Sequence, residues 1–397
     1  MTLKVRDLAE QFAPRLIEFR RDLHMHPELS WKEFRTTEKI KGILRELDIE
    51  VVETGLETGV VGLVRGAEDG PTIALRGDID ALPVEEQNDV PYKSRVPGVM
   101  HACGHDSHAT SLLGAAMILA SIREELRGNV KFLFQPAEEV NEGAKRMMEE
   151  RVLENPSVDA IFGLHCHPDI PAGQVGVKEG PLMAAVDTVF IDVEGVGGHG
   201  AIPDRTVDPN VATAMIIMAL QTVVSRNVSP LEPVVVTIGT IKAGTANNII
   251  PDRVHMKGTV RSFAPEVWER LPGLLERVVT HTAKSMGAEA KLTYRRDLPA
   301  VLNEERMTAV ARRAVVKVAG PDAPVVPTPS MDGEDFAIFQ REVPGCFVWL
   351  GVGNEERGIS SQWHNPTFDI DEGALPLGAA TLAQCAIDAI HHFREGR

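Results

Sequence analysis

The sequence predicts an α/β protein with a second, inserted α+β domain, and three observations lead there. Short apolar runs alternate with helix-period stretches through residues 1–184. Residues 185–297 change to the order β-α-β-β-α-β. After 297 the helix and strand pattern resumes. A chain of 397 residues exceeds one ordinary core, so more than one domain is expected. Residues 1–184 and 298–397 are therefore assigned to one α/β domain, with a mixed, largely parallel sheet flanked by helices. Residues 185–297 are assigned to a ferredoxin-like βαββαβ insertion.

Taken in order, Leu8, Phe12, Leu16, Phe19 and Leu23 recur at steps of three or four, one face of a helix over 5–24. A weaker repeat covers 30–46. Residues 60–64, 72–75, 130–134 and 158–164 are continuous apolar or β-branched runs, expected as strands buried on both faces. Helices are predicted over 110–122 and 142–153. In the insertion, strands are predicted at 188–193, 234–241, 253–260 and 288–294, with helices at 209–224 and 265–285.

The formal charge of −16 weighs against nucleic acid or an anionic membrane as partner, since both call for basic surfaces. No window reaches the roughly 18 uninterrupted apolar residues of a membrane span, and residues 1–7 show no signal-peptide pattern. Four cysteines scattered in sequence form no disulfide framework, so a reduced, cytoplasmic protein is expected.

The chemistry concentrates in His101-Ala102-Cys103-Gly104-His105-Asp106-Ser107-His108, which packs three imidazoles, a thiol and a carboxylate into eight residues. A borderline-soft ion such as zinc accepts all three donor types. Asp78 and Asp80 follow one predicted strand, Glu138 and Glu139 a second, and His165 a third. Sites in open α/β sheets gather outside the carboxyl ends of the strands, so these residues are expected to converge. Neighbouring side chains point opposite ways where a chain leaves a strand. One carboxylate of Glu138-Glu139 then binds metal while the other takes a proton from water whose pKa a metal has lowered to about 7. Taken alone, the pair also reads as solvated acids after a strand. His24, His26 and His255 read as structural, and Cys166, Cys346 and Cys385 as small buried apolar residues. Neither a Gly-x-Ser-x-Gly elbow nor a phosphate-binding loop is found.

Ordered motifs run nearly end to end: Leu23-His24-Met25-His26-Pro27-Glu28-Leu29-Ser30, Arg76-Gly77-Asp78-Ile79-Asp80, Met100-His101-Ala102-Cys103-Gly104-His105-Asp106, Phe134-Gln135-Pro136-Ala137-Glu138-Glu139, Gly163-Leu164-His165, Gly197-Gly198-His199-Gly200, Met331-Asp332-Gly333-Glu334-Asp335-Phe336 and His364-Asn365-Pro366. On these the chain resembles the dinuclear metal-dependent amidohydrolases of the aminoacylase/carboxypeptidase superfamily. The branch it is most similar to holds hippurate hydrolase, N-acetyldiaminopimelate deacetylase and auxin-conjugate hydrolases.

The resemblance implies two divalent metal ions per subunit, held by Cys103, His105, Glu139, His165 and His364, with Cys103 bridging. Zinc is the default ion, and manganese, cobalt and nickel are compatible. It implies Glu138 as general base and Asp80 as the carboxylate that orients a ligand. His199, supplied by the partner subunit, is implied to polarise the scissile carbonyl, while Asn248 and Arg261 bind the substrate carboxylate. The insertion becomes a dimerisation and lid domain, and the protein a homodimer or dimer of dimers. The expected reaction is hydrolysis of the amide bond of a small N-acyl amino acid by metal-activated water. Alternatives are a metallocarboxypeptidase acting on short peptides and a non-catalytic metal-dependent binding protein on the same fold.

Overall fold

Strands Thr72–Asp78 and Asn129–Gln135 are buried along their whole length, which is why they read as continuous apolar runs rather than alternating ones, and so is Gly345–Gly353, to which the sequence pattern assigns no element. A computed structural model describes residues 2–395. Within them the chain falls into two compact units. One runs through Leu182 and adds Leu302–Thr328 and the chain from Asp335 onward; the other is Met183–Val301 with Pro329–Glu334.

The first unit is built on an eight-stranded sheet in the order Glu50–Val52, Val60–Arg65, Asn129–Gln135, Thr72–Asp78, Ala160–Pro171, Gly345–Gly353, Val175–Gly176, Pro324–Val325. The four central strands, Asn129–Gln135 to Gly345–Gly353, are mutually parallel. Antiparallel pairings flank them on both sides, so the sheet is mixed and largely parallel, as the sequence predicts. Helices Thr2–Met25, His105–Ser121, Glu305–Ala319 and Ala374–Glu395 pack on one another beside it.

Helix His105–Ser121 lies at the centre, buried from His105 to Leu119. Small residues let its neighbours close in: a Cβ on Gly114 would lie 2.6 Å from the Ala379 side chain, and one on Gly378 2.5 Å from the Ser111 hydroxyl. The helix begins at His105, five residues before the predicted start at 110. Its first turn is polar yet buried, so no apolar repeat marks it. The predicted helix over 30–46 spans Phe34–Glu46, and the one over 142–153 is confined to Gly143–Glu149. Arg151 and Asn155 take positive φ values of 58° and 50°, which a helix does not accommodate.

Buried Lys131, in a central strand, donates to the carbonyls of Val152 and Glu154 and so ties down the segment that follows this short helix. Burial pushes its pKa down from 10.5 to about 8. The unfolded chain then binds this proton more tightly, so stability rises as pH goes from about 8 to 10.5. Chemical denaturation at the two ends of that window should show wild type gaining on Lys131→Met as pH rises. A gap independent of pH would contradict this.

The second unit holds a four-stranded antiparallel sheet in the order Val234–Ala243, Arg253–Ser262, Ala185–Glu194, Glu289–Leu298. Helices Pro209–Thr222 and Pro265–Ser285 complete the βαββαβ chain order. Strand Arg253–Ser262 alternates out and in, and Val254, Met256 and Val260 join Val189, Ile191, Ile216, Leu271 and Leu275 in a separate core.

Candidate metal centre

Four chain segments of the first unit present the predicted ligands. Cys103 and His105 flank Gly104, which caps the central helix at φ 84°. A Cβ there would lie 2.3 Å from the Cys166 sulfur, so this corner admits glycine alone. His165 lies inside strand Ala160–Pro171, not after a strand ending at 164 as expected. The ladder continues because Gly345–Gly353 runs alongside, pairing Trp349 with His165 and Leu350 with Cys166. Glu138 and Glu139 occupy the turn after Asn129–Gln135, entered through Ala137 at φ 53°. His364 (φ 62°) is docked beside Cys103 by its backbone N–H, which donates to the Ala102 carbonyl at 2.8 Å.

The donor atoms converge. Cys103 Sγ lies 3.5 Å from His165 Nε2. Glu139 reaches two imidazoles, with Oε1 3.7 Å from His105 Nε2 and Oε2 3.6 Å from His364 Nε2. Potential ligand atoms of Cys103, His105 and His165 all lie within 4.8 Å of one another, and so do those of Cys103, Glu139 and His364. Cys103 belongs to both sets. Glu138 groups with His105 and Glu139 at the same spacing. Meanwhile His105 Nε2 and Glu139 Oε1 are buried without a hydrogen-bond partner. Orphaned polar atoms of this kind are costly, and a cation between them removes the cost. Thiol, imidazoles and carboxylate so arranged fit divalent metal.

Electrostatics agree. Burial opposes a charge on His105, yet Asp78, Asp80 and Glu139 outweigh it and raise its pKa to about 10. The field that holds a proton there also attracts a cation. Burial pushes the Cys103 thiol up, with Glu139, Cys166 and Glu138 adding to it, so a thiolate at this position would need a positive ion close by. Burial, with His108 beside it, holds His165 well below the usual histidine range. In that neutral ring Nδ1–H donates to the Cys166 carbonyl at 2.8 Å, which leaves the Nε2 lone pair facing Cys103.

Fully buried carboxylates hydrogen-bond the predicted ligands and their neighbours. Asp80 accepts from His105 Nδ1 at 3.1 Å, from the Glu139 backbone N–H at 3.1 Å and from Ser30 at 2.7 Å. Asp78 instead takes His108 Nδ1 at 2.6 Å and Arg76 at 2.6 Å, and His108 Nε2 accepts the Cys166 N–H at 2.8 Å. Arg76 reaches on to Asp335 at 2.9 Å, and Asp335 also accepts from Gln135 and from the Ala144 N–H. Sequence reasoning assigned no role to His108, Arg76 or Asp335, although all three lie in or beside its motifs. Among the histidines read as structural, His24 bonds Asp106 and Glu86, His26 the Asp22 carbonyl, and His255 Asp192.

The sequence matches Peptidase family M20/M25/M40 over residues 74–388, most of its length. The chain belongs to this family. It is 46% identical over 377 residues to N-acetylcysteine deacetylase of Bacillus subtilis (strain 168), covering 95% of this chain and 97% of that one. It is 40% identical over 389 residues to thermostable carboxypeptidase 2 of Saccharolobus solfataricus, covering 97% and 98%. A crystal structure described as a dinuclear metal-binding peptidase of the M20 family, from Bacillus subtilis, superposes with TM-score 0.86 at 42% identity, covering 96% and 99%. This M20 chain is thus a metal-dependent amidohydrolase by family. Among its described residues no helix is long and apolar enough to cross a membrane.

The remaining candidates of this M20 chain lie in its second unit. Strand Gly198–His199 pairs with Ile249–Ile250, and the Gly200 N–H donates to the Asn248 carbonyl at 2.8 Å, so His199 and Asn248 are neighbours on an exposed loop pair. His199 Nδ1 accepts from the Ala201 N–H at 3.1 Å, so in the neutral ring Nε2 is the donor. Arg261, half-buried on strand Arg253–Ser262, contacts the Thr259 hydroxyl at 3.2 Å and the Met331 carbonyl at 3.5 Å. Among the described residues it forms no ion pair, and burial lowers its pKa despite Asp332, Asp187 and Asp297 nearby.

Proposed function

We propose that this protein hydrolyses the amide bond of small N-acyl amino acids, with Glu138 as general base and Cys103, His105, Glu139, His165 and His364 holding two divalent ions. The observation that carries the reading is the sharing of Cys103 between two ligand sets, with Glu138 grouped with one member of each, His105 and Glu139. When bound, the ions supply Lewis-acid polarisation of the scissile carbonyl and acidify the attacking water. Glu138 takes the proton of that water and returns it to the departing amine nitrogen. Asp80 holds the His105 ring and the Glu139 backbone, and so aims both side chains. The Nε2–H of His199 donates to the oxygen that becomes negative, an arrangement worth several kcal/mol of barrier. Arg261 and Asn248 take the substrate carboxylate, for which an arginine without an ion pair is suited.

The second unit supports the homodimer reading. Val211, Met215 and Met218 form an exposed apolar stripe on helix Pro209–Thr222, and Val235 and Ile241 are exposed on the edge strand Val234–Ala243. Such a surface suits burial against a second copy, which would bring His199 from the partner. Carboxypeptidase action on short peptides is the second reading, favoured by the 40% identity to the archaeal carboxypeptidase. Product release from a panel of N-acetyl and N-benzoyl amino acids and dipeptides, before and after chelation and metal add-back, separates the two. Loss on chelation with restoration by one ion, on the N-acyl members, is the expected result. Dipeptide cleavage alone favours the second reading, and no release with bound metal rejects both.

A further inference from the structure

We propose that Glu33 is a positioning residue for Glu138, acting through the backbone N–H of Ala137, the residue that precedes it. The role rests on the reading of Glu138 as the base. Glu33 is fully buried just ahead of helix Phe34–Glu46, far in sequence from the ligand motifs. Its Oε1 accepts the backbone N–H of Ala137 at 2.9 Å. Ala137 is itself fully buried and sits at φ 53°, a left-handed conformation that an alanine adopts only when its surroundings hold it there. With Glu33 removed, that buried N–H loses its acceptor, and nothing then holds the turn at this φ from that side.

The same helix braces the preceding residue. Thr37 accepts the Gly59 N–H at 2.9 Å, and Gly59 lies so close to Pro136 that a Cβ would stand 2.6 Å from the proline Cδ. Two carboxylates from separate segments thus hold the backbone of this turn, Glu33 at Ala137 and Asp80 at Glu139, while Asp335 holds Ala144 at the start of the helix that follows. Asp80 also touches the expected ligand His105, whereas Glu33 Oε1 is engaged with the backbone of the turn. Its place, one peptide before Glu138, makes the aim of the Glu138 carboxylate depend on it.

Kinetics of the full-length, metal-loaded protein on the amide substrate that wild type hydrolyses will test this. Glu33→Ala is expected to lower kcat about 10- to 100-fold with KM and metal content little changed. Glu33→Gln keeps an oxygen acceptor for the Ala137 N–H and is expected within about threefold of wild type. The decisive arm is Glu33→Ala combined with Glu138→Gln, expected to be no slower than Glu138→Gln alone. If Glu33→Ala does not fold, Glu33→Leu, which fills the space without an acceptor, takes its place. Equal losses in both backgrounds, or a Glu33→Ala enzyme as fast as wild type, overturn the positioning role. Wild-type turnover by Glu138→Gln overturns the base assignment and this role together.

Discussion

Glu138→Gln is expected to cut turnover roughly 10³-fold while leaving the metal content of the protein unchanged. Gln keeps the size of the side chain and its oxygen but has no basic lone pair to take a proton from water. The ligand set survives, because Glu139 alone of the pair bridges the two imidazoles, His105 at 3.7 Å and His364 at 3.6 Å. Initial rates under saturating metal, with metal counted per chain by elemental analysis, make the measurement. A tenfold loss or less would remove Glu138 as base and leave the attacking water without an assigned proton acceptor. Loss of metal in proportion to loss of rate would make Glu138 a ligand instead.

Cys103→Ala has the other large expected effect, a loss of metal that add-back does not repair. Cys103 belongs to both ligand sets, so its removal degrades both at once. His364→Ala touches one set and is expected to be milder. Bound metal stabilises the fold by linkage, so the rise in Tm on adding zinc should be large for wild type and small for Cys103→Ala. Affinity is expected to fall by at least about 100-fold, beyond the usual cost of losing a supporting partner. Two ions per Cys103→Ala chain, at wild-type affinity, would show that the sulfur faces the site without ligating.

Much of this was legible because it is local. Continuous apolar runs marked the buried central strands, and the change of rhythm after residue 185 marked the βαββαβ region. The density of donors between His101 and His108 marked a region where the structure brings potential metal ligands together. Helix His105–Ser121 was read short because its buried first turn is polar, with Ser107 bonding the Gly104 carbonyl and Asp106 held by Arg20 and His24. The strand through His165 extends past the predicted end at 164 for a similar reason. Its last residues are polar or lie next to proline, and their pairing comes from a strand nearly two hundred residues away.

By itself the sequence determined the donor types, the motif order and hence the family and its class of chemistry, since these depend on which residues occur and at what spacing. Tertiary structure alone decided which lone pairs face one another. That the imidazole Asp80 bonds is that of His105, that His108 supports the Cys166 backbone, and that Glu33 holds Ala137 follow from contacts 25 to 104 residues apart. A hydrogen bond requires its partners within about 3 Å. Such closeness between distant segments is a property of packing, which no local pattern in a chain encodes.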